Sequence, residues 1–117
     1  MKTDMCSKAG LWLAAMALAW SPAWAQGEAL LRFEHDSMAS LVAAEGGKPF
    51  VLVLWSLDCA YCEQSLKTLA AEQKRRKDLR VVTLATDSLD DAEVSAQLQA
   101  KLARSGVKGA AWAFGSA

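Results

Sequence analysis

The feature that most constrains this chain is an apolar run, Phe50-Val51-Leu52-Val53-Leu54-Trp55, which gives way to Ser56-Leu57-Asp58-Cys59-Ala60-Tyr61-Cys62 and then to a helical pattern through Ser65-Leu66-Lys67-Thr68-Leu69-Ala70. The run has no polar alternation, so it reads as a central strand covered on both faces. A short buried strand therefore hands two cysteines to the first turn of a helix. Residues three apart on a helix share a face, so Cys59 and Cys62 can meet sulfur to sulfur with little backbone movement. That turn also carries unpaired N–H groups and the positive end of the helix dipole, and both favour a thiolate. The thiolate is the attacking species in disulfide exchange. The arrangement reads as a redox dithiol.

Upstream, residues 1–25 have the form of a secretory signal peptide. Lys2 and Lys8 make a positive start, Leu11 to Trp20 is uninterruptedly apolar, Ser21-Pro22 breaks the stretch, and Ala23-Trp24-Ala25 is a small-x-small cleavage site. The apolar stretch falls short of the ~20 residues that a spanning helix needs, so membrane contact is expected only through an uncleaved N-terminal segment. The expected organisation is a signal over 1–25 and one domain over 26–117. Cys6 leaves with the signal, and Cys59 and Cys62 are then the only cysteines of the mature chain. In an exported protein such a close pair is expected to be able to form a disulfide.

Composition narrows the partners. With 53% hydrophobic and 22% charged residues among 117, the chain suits one globular domain and not a disordered segment. Its 13 basic and 13 acidic residues imply no nucleic-acid partner. A disulfide closing so small a loop adds little stability, which leaves chemistry as the better use of the pair. Haem attachment is excluded, because Glu63 and not His follows Cys62. Two thiolates would also suit a soft metal such as Cu(I), whereas structural zinc wants four ligands, so a copper-binding module is the alternative reading. His35, the single His, reads as a surface residue near a strand end.

Along the mature chain, Ala29-Leu30-Leu31-Arg32-Phe33 is a strand candidate. Asp36 or Ser37 can cap a helix through Met38, Leu41 and Val42 that stops at Gly46-Gly47. The helix after the cysteines is expected to run to about Lys77, with Tyr61, Leu66, Leu69 and Ala70 on its inner stripe and Lys74-Arg75-Arg76-Lys77 as a solvated end. Tyr61, between the cysteines, is also placed to tune access to them. Leu79 to Ala85 is a second strand, Thr86-Asp87-Ser88 turns out of it, and a helix led by Asp90, Asp91 and Glu93 runs through Val94, Leu98 and Leu102 to Ser105-Gly106. Gly109 to Ala117 can begin one more strand. This alternation implies α/β architecture with parallel strands at its centre.

With its elements in this order, the chain resembles the thioredoxin-like superfamily, and most nearly the exported thiol-disulfide oxidoreductases of the TlpA type. The resemblance rests on Gly47-Lys48-Pro49-Phe50, the strand Val51 to Leu54, Trp55, Cys59-Ala60-Tyr61-Cys62, and Leu84-Ala85-Thr86-Asp87 with the acidic helix after it, roughly residues 28–110 in all. It implies a central sheet flanked by helices, a periplasmic or otherwise exported location, protein thiols and disulfides as partners, and no cofactor. It also implies that Cys59 is the exposed attacking cysteine and Cys62 the buried resolving one.

Three departures accompany the resemblance. Asp58 stands where the family usually has Trp, and a carboxylate beside Cys59 disfavours the thiolate, which points toward a reductant. Val53 stands where thioredoxins carry a buried proton-relay Asp. The only prolines are Pro22 and Pro49, so no residue can take the cis-proline role opposite the dithiol. The family's last two strands and last helix have no counterpart. The domain is therefore expected to be incomplete at its C-terminus, with an uncovered sheet edge, and a truncated non-catalytic fragment is the third reading.

The exported protein should begin at Gln26. Amino-terminal sequencing of the secreted product measures this, and a product that keeps Met1 would mean that the segment stays attached.

Overall fold

The computed structural model describes residues 29–115, so the segment read as a signal lies outside the described residues. Strands and helices alternate without exception: β1 (Leu31–Phe33), α1 (Ser37–Ala44), β2 (Val51–Trp55), α2 (Cys62–Arg75), β3 (Val81–Ser88), α3 (Ala92–Ser105) and β4 (Ala111–Phe114). The ends of α3 behave as their chemistry predicts, whereas the expected capping of α1 is not seen: Asp36 makes no side-chain capping bond, and the Ser37 hydroxyl accepts from the Glu34 N–H instead. The Asp91 carboxylate accepts from the N–H groups of Glu93 and Val94 at 2.8 and 3.3 Å, capping α3. Gly106 ends α3 in the left-handed region at φ 75°, a conformation that costs a glycine nothing. The basic end of α2 is exposed, and Arg75 pairs there with Glu72.

All strand pairs are parallel, in the order β1-β4-β3-β2. The connection from β1 to β2 crosses the whole sheet in one direction, and β2 to β3 to β4 steps back in the other. Right-handed crossovers then require α1 on one face and α2 with α3 on the other. The core divides accordingly. One face gathers Phe33, Leu41 of α1, Val82, Leu84 and Trp112. The other gathers Trp55, Leu66 of α2, Leu98 of α3, Ala85 and Ala113. Phe33 meets Trp112 and Phe114 edge to face, with ring centroids 6.2 and 5.4 Å apart, which ties the first strand to the last. At the opposite end of the sheet, Arg80 Nε donates to the buried Glu45 carboxylate at 2.7 Å, joining the end of α1 to the start of β3.

The placement of β2 corrects the sequence reading. It is an edge strand and not a central one, because β4 pairs on the far side of β3. Its unbroken apolar run has another cause. Leu52 packs with Phe50 toward the α1 cluster, while Val53 and Trp55 pack toward the α2–α3 cluster, so both faces are partly covered although one edge is unpaired among the described residues. The uncovered edge leaves Val51 and Leu54 exposed at 41% and 59%.

Leu66→Ala should therefore cost roughly 2–5 kcal/mol of unfolding free energy, the range for emptying a fully buried leucine site. Leu54→Lys should stay within about 0.5 kcal/mol of the parent. Urea unfolding of the two variants separates the buried face of the sheet from its open edge.

Candidate functional site

Parallel strands all finish at one end of a sheet, and β2 delivers the cysteine segment there. Trp55, 2% exposed, fixes the last strand residue in the core. Two successive turns follow, in which the Cys59 N–H donates to Ser56 O and the Cys62 N–H donates to Cys59 O, both at 3.4 Å. Helix α2 starts at Cys62. The expectation that both cysteines lie in its first turn is thus corrected: Cys62 opens the helix and Cys59 sits in the turn before it. The spacing of three serves the turn as well as it would serve a helix, because both bring residues i and i+3 together.

The two sulfurs are joined as a disulfide, with the Cα atoms 5.4 Å apart. Both cysteines are half-buried. Their surroundings differ, since Cys62 packs against the Trp55–Leu66–Leu98 cluster whereas Cys59 is not part of that contact set. Tyr61 is 82% exposed, so it leaves the inner stripe of α2 to Leu66, Ala70 and the half-buried Leu69. His35 is exposed just beyond β1.

Polar contacts hold the approach to Cys59 from three sides. The Ser56 hydroxyl donates to Asp58 Oδ1 at 2.6 Å, tying the carboxylate beside Cys59 back to the strand end. The Leu57 N–H donates to Asp87 Oδ2 at 2.9 Å, from the end of β3. The Leu57 carbonyl accepts from Lys101 Nζ at 2.9 Å, from the middle of α3. Leu57 is therefore gripped through the peptides on both its sides, at its N–H by an anion and at its C=O by a cation, both charge-assisted contacts. Thr86 Oγ1 donates to the Trp55 carbonyl at 3.4 Å just upstream.

Neither Asp87 nor Lys101 stands out in the sequence as a site residue. Asp87 reads as a turn residue, and the two lie 30 and 44 positions from Leu57, beyond any local pattern. The sequence signal for Asp87 is its place in Leu84-Ala85-Thr86-Asp87, at the C-terminal end of a strand parallel to β2, where loops of α/β proteins converge on a site.

Comparisons with protein-family models, curated proteins and solved structures return no match. The site therefore rests on its own geometry.

Next to Cys62, the Glu63 carboxylate accepts from Lys67 at 3.3 Å and lies 3.8 Å from Arg104 Nε. The hydrogen bond and charge of Lys67 hold the Glu63 carboxyl below its ordinary value of 4.5; partial burial opposes them, and Arg104 and Lys101 add weaker lowering effects. Among the described residues, no group of three or more His, Cys, Asp or Glu side chains is placed to hold a metal ion. A soft cation bound here would have the two thiolates of the reduced pair as its protein donors.

A carboxyl with a lowered folded pKa adds stability above its unfolded value and loses that contribution as pH falls through the folded one. Glu63→Gln should therefore lower the thermal midpoint slightly at neutral pH, as solvent-screened pairs do. The difference from the parent should vanish once the pH is well below 4.5. Thermal melts of both proteins across that range measure it.

Proposed function

We propose that this chain is a thiol-disulfide oxidoreductase of the thioredoxin-like, TlpA-resembling kind, working on protein thiols and disulfides outside the cytoplasm. The observation that carries the reading is the Cys59–Cys62 disulfide set between the end of β2 and the start of α2, at the end of the sheet where all strands finish. The chemistry needs two sulfurs that can alternate between bonded and free, one reachable and one backed by structure. Cys62, packed against the core, suits the resolving role, and Cys59, in the turn, suits attack.

In the reducing direction, the Cys59 thiolate attacks one sulfur of a client disulfide and expels the other client sulfur as a thiolate. A mixed disulfide now joins Cys59 to the client. The Cys62 thiolate attacks Cys59 Sγ, forms the intramolecular disulfide and releases the second client thiolate. Two electrons pass to the client, and its two thiolates take up protons from water. The oxidising direction is the same sequence reversed. The positive end of α2 favours negative charge on Cys62 as the mixed disulfide resolves. Asp58 beside Cys59 disfavours charge there, which shifts the balance toward the closed disulfide and the role of a reductant.

Equilibration of the purified protein in glutathione or dithiothreitol buffers should give a single two-electron midpoint. Cys62→Ser should trap a mixed disulfide with a disulfide-bearing client, and Cys59→Ser should trap none. Titration of the cysteines as in an unstructured peptide would sink the enzymatic reading.

A further inference from the structure

The grip on Leu57 has no role in the exchange steps above, yet it is the most specific polar arrangement near the sulfurs. Leu57 lies two residues before Cys59, on the only segment that links β2 to the dithiol. Its two polar atoms could be solvated by water at a half-buried position. Instead the carbonyl accepts from Lys101 at 2.9 Å and the N–H donates to Asp87 at 2.9 Å. Lys101 itself is half-buried, although lysine normally keeps its ammonium in water. It forms no ion pair within 4 Å among the described residues, and Leu57 O is the contact that holds its ammonium.

We propose that Lys101 is a positioning residue for the dithiol, holding the Cys59 turn in its closed geometry when the disulfide is open, with Asp87 securing the adjacent peptide on the other side of Leu57. The inference rests on the reading of Cys59 and Cys62 as an exchanging pair. While the disulfide is intact, the Sγ–Sγ bond fixes the turn and the grip changes little. Once the bond is reduced, a free turn would gain conformations that must be given up again on closure. Lys101 and Asp87 remove that freedom in advance, so the thiols stay at high effective concentration and the disulfide is easier to re-form. The direction of the effect follows: the grip makes the potential more negative. It thereby acts in the same sense as Asp58, through geometry and not through charge at sulfur.

Lys101→Met keeps the length and apolar stem of the side chain and removes the donor. The effective concentration of the Cys59–Cys62 pair should fall about tenfold, the order of one hydrogen bond from a charged donor, which raises the potential by roughly 30 mV for a two-electron couple. Lys101→Arg, which restores a cationic donor, should recover most of that shift. Asp87→Ala frees the other peptide flanking Leu57 and should shift the potential in the same direction; it decides the matter if Lys101→Met does not fold. Thermal midpoints of the oxidised proteins, measured in parallel, separate this role from a purely structural one, which would lower the midpoint and leave the potential in place.

An unchanged potential in the folded variants overturns the inference. So does a shift to more negative values, which would make Lys101 a charge that stabilises the Cys59 thiolate. If the parent protein shows no two-electron midpoint at all, the exchange reading fails first. If the parent titrates cleanly and the variants follow it, only the positioning role fails.

Discussion

One row of side chains across the sheet sets the position of everything on the dithiol side. Trp55, Ala85 and Ala113 are successive register partners on β2, β3 and β4, and all three are buried. A large indole at the edge and two methyl groups inward leave room on that face for two helices, α2 through Leu66 and α3 through Leu98. The opposite face presents Val82, Leu84 and Trp112 and takes a single helix, α1, through Leu41. The asymmetry of volume across the sheet thus matches the asymmetry of the connections, one crossover one way and two the other. A bulky residue at Ala85 or Ala113 would push the helices off the sheet and carry Cys62 and Lys101 with them.

The cysteine segment inherits its rigidity from that row. Trp55 is the last residue of β2, and the turn that follows is bounded by contacts from β3 and α3, not by its own residues alone. The open edge of β2 lies next to the same turn, with Leu54 largely exposed. Uncharged apolar edges of this kind invite pairing with other strands. The site is therefore firm on the side facing the core and uncovered on the side facing away from β3.

Much of this was legible in the sequence where the signal is local. The helix of residues 92–105 announces itself by Asp91, Glu93 and Gly106, and its observed cap and stop use those residues. The stop after α1 at Gly46 and Gly47 and the solvated basic end of α2 were readable for the same reason. What the sequence hid was order across the sheet. Nothing near Ala111 to Phe114 says that this strand lies between β1 and β3, and that insertion is what moves β2 to the edge. The partial cover of β2 by helices on both faces produces the same run of apolar residues that a central strand would show. Tyr61 has helical spacing to the inner stripe but precedes the helix, so its side chain is free to face solvent. The grip on Leu57 was invisible because its partners come from two other elements.

The pairing of β1 with β4 has a consequence for the order of events during folding. Leu31 to Phe33 aligns with Trp112 to Phe114, so among the described residues β1 has no hydrogen-bonded strand neighbour until β4 is present. Contacts this distant in sequence make for slow, late closure. The middle of the chain can assemble β2, α2, β3 and α3 early, but the β1 side of the sheet stays unfinished until β4 has emerged from the ribosome.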